Sequence, residues 1–398
     1  MKKTLLAAAL LAGFATAGVA QAETSVTLYG ILDTGYGYNQ VKFNDHGYDL
    51  KSTNSGMQGG IFNGSRFGLR GSEDLGNGTR AIFTLEQGIT LGDGTSTSTK
   101  QFHRQAWVGL ASDDWGTFTM GRQYNMGAVM IYDQFNVGHT MGDMDSAFGA
   151  VGYANRMDNS FRYMTPNFSG FQAGVAYANG KTSITRDGND VDSTDNTDRT
   201  NWVSVGLKYA NGPIALGASY DRQMMNDTYT APDGSKKDWH NRNDAITSWN
   251  IGASYDFEVV KLALAFGQDR HGKMGFAGAG MANTGADVYK ALGSSGNAYS
   301  DFKSNNYYVG LSAPLAGGTA GVTWTHSKSN LDEYDQWTLA DGTKGAFPDK
   351  AQDIYQVNYQ YPLSKRTSVY AYGSYGTGMY YLDNAKAKEV GIGLNHKF

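Results

Sequence analysis

A chain of 398 residues without a single cysteine has no disulfide framework, no thiolate nucleophile and no thiolate metal site. Its 33 basic and 37 acidic residues leave a net charge of −4, the wrong sign for a surface that must neutralise phosphates, which argues against a nucleic-acid partner. With 53 glycines, 26 tyrosines and 18 phenylalanines but 6 prolines, glycine and aromatics stand where a soluble domain would carry helix formers.

At the N-terminus, Lys2 and Lys3 precede a small and apolar run from Leu5 to about Gly18, followed by Ala20-Gln21-Ala22. That is the order of a secretory signal peptide, so residues 1–22 are assigned to it, with cleavage after Ala22 and a mature chain of residues 23–398. The mature chain then carries 31 basic and 37 acidic residues, a net charge of −6. Nothing later offers the ~20 consecutive apolar residues of a membrane helix. A mean hydropathy of −0.45 still allows a membrane barrel, because half the residues of each barrel strand face water.

From Val26 to Phe398 the chain alternates apolar and polar residues with period 2. Between Ser248 and Phe257, for example, Trp249, Ile251, Ala253, Tyr255 and Phe257 take one face and Ser248, Asn250, Gly252, Ser254 and Asp256 the other. Sixteen such segments are predicted as strands, near 25–38, 65–72, 79–89, 102–112, 116–124, 159–166, 170–178 and 201–210, then 213–223, 247–257, 260–269, 304–313, 318–326, 352–361, 367–377 and 388–398. Their connections alternate as well. Short turns such as 73–78, 113–116, 166–170 and 210–213 are interleaved with long polar segments such as 39–64, 90–101, 125–158, 179–200, 224–246, 270–303 and 327–351.

Short turns on one rim and long loops on the other describe an all-β fold, a 16-stranded antiparallel transmembrane β-barrel with both termini on the short-turn side. Closure is required because an open sheet edge would leave unpaired backbone groups in hydrocarbon. The competing fold is a soluble β-sandwich, which would bury its oily faces in a core and has no need of this alternation of loop lengths. With an export signal, the barrel places the chain in a Gram-negative outer membrane.

Several strings then carry a resemblance. Val26-Thr27-Leu28-Tyr29-Gly30, Ser65-Arg66-Phe67-Gly68-Leu69-Arg70-Gly71, Arg104-Gln105-Ala106-Trp107-Val108-Gly109-Leu110 and Gly121-Arg122-Gln123-Tyr124 come in an order that resembles the general trimeric porins of Gram-negative bacteria. The likeness is to the betaproteobacterial branch, the Bordetella and Neisseria porins, and runs on through Val369-Tyr370-Ala371-Tyr372-Gly373-Ser374-Tyr375 to Phe398. What the resemblance implies is a homotrimer of barrels whose third long loop folds inward, set in outer membrane lipid and lipopolysaccharide. It also implies that the terminal Phe398 is the signal read by the barrel-assembly machinery. One string departs: where enterobacterial relatives carry Pro-Glu-Phe-Gly-Gly in that loop, this chain has Asp143-Met144-Asp145-Ser146-Ala147-Phe148-Gly149.

Sixteen strands enclose a lumen wide enough for water, so size selection needs something inside it. The segment 125–158 is the candidate, since Met126, Val129, Met130, Ile131, Phe135 and Val137 are oily for an exposed loop. By alternation Arg66 and Arg70 share the face opposite Phe67 and Leu69 and point into the lumen. By family pattern Arg66, Arg104 and Arg156 match the wall arginines, with Arg70 and Arg122 as additions. Arg104 shares its parity with Ala106, Val108 and Leu110, so alternation leaves its face ambiguous.

Against these arginines stand Asp143 and Asp145 on the inward loop, and Asp33 and Glu86 on their own strands. Separated rows of opposite charge set up a transverse field that orients polar solutes. Stacked arginines favour anions, whereas the net charge favours cations at the mouth. With a screening length of ~8 Å at physiological salt the narrowest zone should dominate, and a weak anion preference is expected. The function expected is passive diffusion of ions and small hydrophilic solutes.

Other motifs are weaker. The acidic run Asp187, Asp190, Asp192, Asp195 and Asp198 lacks the glycine and glutamate of a calcium loop, and reads as a solvated external loop with at most loose divalent binding; no cofactor is expected. The seven histidines have no metal-ligand spacing, and Gly278-Ala279-Gly280 and Gly35-Tyr36-Gly37 do not sit between a strand and a helix. A barrel protease or lipase would need a Ser/His/Asp cluster, which the sequence does not display, so no enzyme activity is expected. A siderophore transporter would need a plug domain and more strands. Adhesion by the long loops is compatible with a pore.

Overall fold

The computed structural model describes residues 24–45, 48–148, 156–184, 196–230, 236–238, 245–270, 303–330, 336–338, 344–346, 351–382 and 384–398. The signal segment 1–22, Asp187 to Asp195 of the acidic run, Gly278-Ala279-Gly280, Gly149 and His46, His240 and His271 lie outside the described residues.

The strands in chain order are β1 (Ser25–Asp45), β2 (Tyr48–Gly59), β3 (Arg66–Gly76), β4 (Thr79–Gly88), β5 (Gln105–Ser112), β6 (Gly116–Tyr124), β7 (Arg156–Met164), β8 (Phe171–Ile184), β9 (Asn196–Asn211) and β10 (Ile214–Thr230). They continue as β11 (Lys236–Asp238), β12 (Ile246–Asp256), β13 (Lys261–Arg270), β14 (Lys303–Leu315), β15 (Gly318–Ser329), β16 (Gln336–Thr338), β17 (Lys344–Ala346), β18 (Ala351–Pro362), β19 (Thr367–Thr377) and β20 (Lys386–Lys397).

Sixteen of these form a closed antiparallel wall in which each strand pairs with its neighbours in sequence; β2 and β11 extend it, and β16 pairs only with β17. Closure joins the two ends of the chain: β1 pairs with β20 from Ile31↔Lys397 to Lys42↔Lys386. Gly30 and Phe398 complete the seam by exchanging both backbone hydrogen bonds, at 3.1 and 3.0 Å. No edge is left to hydrocarbon.

The hairpins follow from local chemistry. Gly76-Asn77-Gly78 joins β3 to β4 with all three residues at positive φ (84°, 51° and 70°), the left-handed backbone that tight hairpins need and that Asn and Gly adopt at least cost. Along each strand, burial inverts the soluble pattern. On β9, Val203, Val205 and Leu207 are exposed while Trp202 and Ser204 are buried; on β12, Ile251 and Tyr255 are exposed while Ser248 and Asn250 are buried. The apolar residues form a band around the outside and the polar ones line the inside, the arrangement of a barrel whose solvent is lipid. A sandwich has the reverse. Among the described residues no helix is long and apolar enough to cross a membrane, a statement that does not bear on spanning by strands.

The strand count of the sequence reading stands, but several boundaries move. Residues 39–64 were expected as a loop; instead β1 runs on to Asp45 and β2 returns as its hairpin partner, from Thr34↔Gly59 to Asp45↔Tyr48. Similarly, β8 and β9 pair out to Ile184↔Asn196, and β10 continues to Thr230. Beyond the bilayer a hairpin needs only its ladder of hydrogen bonds, so polar residues continue the strand and hydropathy no longer marks its end.

The hydrophobic core lies inside the barrel. Residues 125–148 enter the lumen as short turns, Ala128–Tyr132, Asp133–Phe135, Thr140–Gly142 and Met144–Ser146. Met126, Met130, Ile131, Phe135, Met144 and Phe148 pack with Met164, Ala176, Trp202, Ala263 and Tyr308 of the inner wall. Glycines make this possible. Gly174 pairs directly with Gly206, and Gly217 with Gly252, so two cross-strand glycine pairs clear a shelf on the inner wall. A Cβ on Gly206 would stand 2.6 Å from Met130 Cγ, and one on Gly252 2.4 Å from Phe135 Cδ2. The segment rests directly on backbone.

Candidate pore constriction

The segment is tied to the wall along its length. At its root, Asn125 Nδ2 donates to the buried Asp221 carboxylate (3.0 Å), and the Met126 N–H to Ser204 Oγ (2.7 Å). Midway, the N–H groups of Val137 and Gly138 both donate to the Tyr308 hydroxyl (2.7 and 3.0 Å). At the far side His139 N–H donates to Gln356 Oε1 (2.9 Å), Met141 N–H to Glu389 Oε1 (3.0 Å), and Thr323 Oγ1 to Gly142 O (3.0 Å). The segment therefore spans from β9 and β10 to β20 and divides the lumen.

A second inward segment, Gly60 to Ser65, sits between β2 and β3. Its Phe62 ring is stacked between His139 (3.7 Å) and Tyr370 (3.8 Å), and burial pushes the His139 imidazole down to about 4, so this ring is neutral at pH 7. Asp33 is what holds the segment. Its carboxylate accepts the N–H groups of Ile61 (2.9 Å), Phe62 (3.3 Å) and Asn63 (3.2 Å), the Tyr370 hydroxyl (2.7 Å) and Asn395 Nδ2 (2.8 Å). The sequence placed Asp33 among the charges facing the arginines. The structure makes it a fully bonded clasp behind the passage: it is buried, its oxygens are taken up by these five donors, and it does not line the cavity that the segment borders.

Between the two inward segments and the wall lies a cavity of about 510 Å³. On one side Arg66, Arg104 and Arg156 line it with Glu86 and Tyr124; on the other stand Tyr132, Asp133, Asp143 and Asp145. Arg104 Nε contacts Glu86 Oε1 at 2.8 Å, Arg66 Nε lies 3.6 Å from Oε2, and the Tyr29 hydroxyl donates to Oε2 at 3.0 Å. Arg104 and Arg156 both donate to the Tyr124 hydroxyl, and the Arg156 guanidinium lies 4.4 Å over the Tyr124 ring. Glu86 thus belongs to the arginine row, which it stitches together, and does not oppose it.

Arg104 shows why alternation was ambiguous. It precedes β5, which begins at Gln105, so strand parity does not govern it. Two other arginines stand apart from the cavity. Arg70 is exposed beside the Tyr29 ring (5.3 Å), and Arg122 pairs with Asp158, which also binds Lys100 (2.7 Å). A bulge in β7 opposite Gly121–Gln123, three steps from Met157 to Ser160 against two on β6, interrupts the alternation of β7 there and changes which of its residues share a face.

On the opposing segment, Asp143 accepts from the Tyr132 hydroxyl and from the Asp145 N–H (3.2 Å). Burial pushes the Asp143 carboxyl well up, and the neighbouring Asp145 charge adds to it; burial pushes Asp145 up to about 6. Burial also raises Asp133, against the pull of Lys208, Arg66 and Arg162. Asp133, Arg162, Lys208, Tyr124 and the Gly60–Ser65 segment were not singled out in the sequence. Arg162 and Lys208 could have been found, since Phe161 and Leu207 beside them are outward-facing and exposed. Among the described residues no group of three or more His, Asp and Glu side chains could hold a metal ion.

Comparison with known proteins matches residues 7–393 to the Gram-negative porin family. An outer membrane porin protein of Bordetella pertussis is 40% identical over 415 residues, covering 100% of both chains. Outer membrane porin protein 32 of Delftia acidovorans is 32% identical over 98% of this chain and 92% of its own length. Among solved structures, an anion-selective porin from Comamonas acidovorans superposes with a TM-score of 0.64 at 24% identity, over 94% of this chain and 100% of that one.

Proposed function

The chain belongs to the Gram-negative porins of the outer membrane, passive diffusion channels for small hydrophilic solutes, and from that premise we propose that its constriction passes anions in weak preference to cations. The observation that carries this reading is the cavity itself, with three wall arginines on one side and, on the other, carboxyls that burial makes harder to ionise. Arginine stays charged at any physiological pH. Burial and the neighbouring Asp145 charge make Asp143 harder to ionise than an ordinary carboxyl, and Glu86 offsets only part of the arginine row. The three arginines stand together along one wall of the cavity, so a passing ion meets a row of fixed positive charge there, and screening over ~8 Å keeps distant loop charges from overriding it. The Comamonas acidovorans porin that shares the fold is anion-selective.

Family and fold together favour a channel over an enzyme. We further infer a homotrimer; a fold relative from Vibrio cholerae exists in a trimer form. Phe398 is proposed as the assembly signal. Its ring lies over Gly30, where a Cβ would meet it at 2.3 Å, and it is still 39% exposed at the barrel seam.

Planar-bilayer recording across a KCl gradient tests the proposal. At pH 7 the reversal potential should have the anion sign, with conductance steps arriving in threes. As pH falls from 7 to 5, Asp145 takes up a proton with a midpoint near 6 while the arginines keep their charge, so anion preference should rise. Asp145→Asn should flatten that profile and hold it at the acid-side value. A cation-sign potential at pH 7 overturns the selectivity reading.

A further inference from the structure

The inner wall carries a row of polar side chains on strands other than those that hold the arginines. The registers Asp221↔Ser204, Asp221↔Ser248, Ser248↔Asp269 and Asp269↔Ser304 set these five residues side by side on β9, β10, β12, β13 and β14. Each is at most 2% exposed, so the row is closed off from the water of the lumen and takes no part in conduction. Two of its members are carboxylates one strand apart. Their charges repel, and burial makes that repulsion costly unless something positive lies between them.

Asp221 is held from one side. Asn125 Nδ2 (3.0 Å) and Trp202 Nε1 (3.2 Å) both donate to its Oδ1, and both are neutral. Its Oδ2 is buried with no hydrogen-bond partner among the described residues. Across β12, Asp269 is held from the opposite side, where Asn306 Nδ2 reaches its Oδ2 at 2.6 Å. One row along β12, Asn250 Nδ2 donates to Ser219 Oγ (3.2 Å) and Ser248 Oγ (3.3 Å). This turns Asn250 Oδ1 over Gly267, where a Cβ would stand 2.2 Å from it. That amide oxygen is also buried with no partner among the described residues. Buried acceptors without donors are expensive, and interiors seldom keep them. A proton on Asp221 would serve one of these oxygens, and a water would leave the carboxylate charge in place. A cation serves the oxygens and balances the charge together.

We propose that Asp221, Asp269 and Asn250, with the hydroxyls of Ser248 and Ser304, form a binding site for one calcium ion between the barrel wall and the root of the inward segment. Neighbouring strands lie about 4.8 Å apart, so the two aspartates stand about 10 Å apart at the backbone. Their side chains, leaning in from both sides of β12, leave a gap that two Ca–O bonds of ~2.4 Å span. With two carboxylates the site depends on neutral amide and hydroxyl oxygens to complete its shell, as the flexible coordination of calcium allows. Magnesium demands octahedral geometry and keeps several waters, for which a row this buried has little room. Because Asn125 Nδ2 ties the segment to the same carboxylate, the ion anchors the constriction to the wall. The site is separate from the acidic run Asp187 to Asp198 and independent of ion selectivity.

The test is to refold the purified protein with calcium, with magnesium or with a chelator, remove unbound ions by gel filtration, and count the retained metal by elemental analysis. The parent should hold one calcium per chain and little magnesium. Asp221→Asn should lower calcium affinity roughly 100-fold and Asn250→Ala roughly tenfold, since ligand number and charge set calcium affinity. With terbium in place of calcium, Trp202, bonded to Asp221, should sensitise luminescence that calcium displaces. Trp202→Phe should abolish that signal and keep the calcium. The temperature at which the barrel unfolds on a gel should rise with calcium in the parent and not in Asp221→Asn. If Asp221→Asn does not fold, Asn250→Ala and the stoichiometry of the parent decide. Absence of retained calcium in the parent, equal retention of magnesium, or calcium affinity unchanged in both variants overturns the proposal, the last because the ion then sits on the external acidic loops. No readout here is a conductance, so failure of the site and failure of the channel reading are distinguishable.

Discussion

Replacing Arg66, Arg104 and Arg156 together with glutamine should reverse the sign of the channel's selectivity, from anion to cation, in a reversal-potential measurement at pH 7. These guanidiniums are the fixed positive charge lining the cavity, and the charged or ionisable groups they leave behind there are the carboxyls of Glu86, Asp133, Asp143 and Asp145. The effect has a complication that can be separated. Glu86 is 4% exposed, and with Arg66 and Arg104 gone only the Tyr29 hydroxyl still donates to it. Removing one side of a buried pair costs about 3–5 kcal/mol in closed interiors, and less beside a water-filled passage. Adding Glu86→Gln removes that cost together with one negative charge, so the reversal should become smaller but persist. Arg156→Gln alone, whose side-chain bond is to Tyr124, should reduce anion preference without disturbing Glu86. If the quadruple variant still prefers anions, the selectivity zone is elsewhere in the channel.

The barrel was legible because lipid imposes a rule on every strand: Val203, Val205 and Leu207 must face out, and the residues between them must then face in. The same rule located Arg66. It failed wherever backbone left the ladder. Arg104 lies before its strand and Asp133 on a turn, so neither had a parity to read, while Arg122 shares the parity of Phe118 and the exposed Met120 and pairs with Asp158 away from the cavity. Asp33 obeyed alternation but was misjudged in role, because its partners at Ile61, Phe62, Asn63, Tyr370 and Asn395 come from both ends of the chain. Burial of the loop carboxyls was equally hidden: Asp143-Met144-Asp145 reads as two exposed acids until Tyr132 is seen to close over Asp143.

The glycine shelf was hidden for a related reason. A glycine in a strand is unremarked until the register sets it against another and a loop above both. The shelf nevertheless has the sharpest mechanical consequence. Gly252→Val would place a branched side chain where even a Cβ stands 2.4 Å from Phe135 Cδ2. The wall strand is paired on both sides, with β10 and with β13, and cannot retreat. The loop cannot leave either, held by Asp221, Tyr308, Gln356 and Glu389 along its length. It can only move toward the arginine row. A shift of ~1 Å is of the size that overpacking forces in a filled core, and the passage should lose a comparable width, lowering single-channel conductance roughly twofold. Phe135→Ala in the same chain returns the space and should restore conductance toward the parent value, which a general loss of folding would not do. An increase in conductance on Gly252→Val alone would mean that the loop is expelled, and that the wall bonds do not hold it against the shelf.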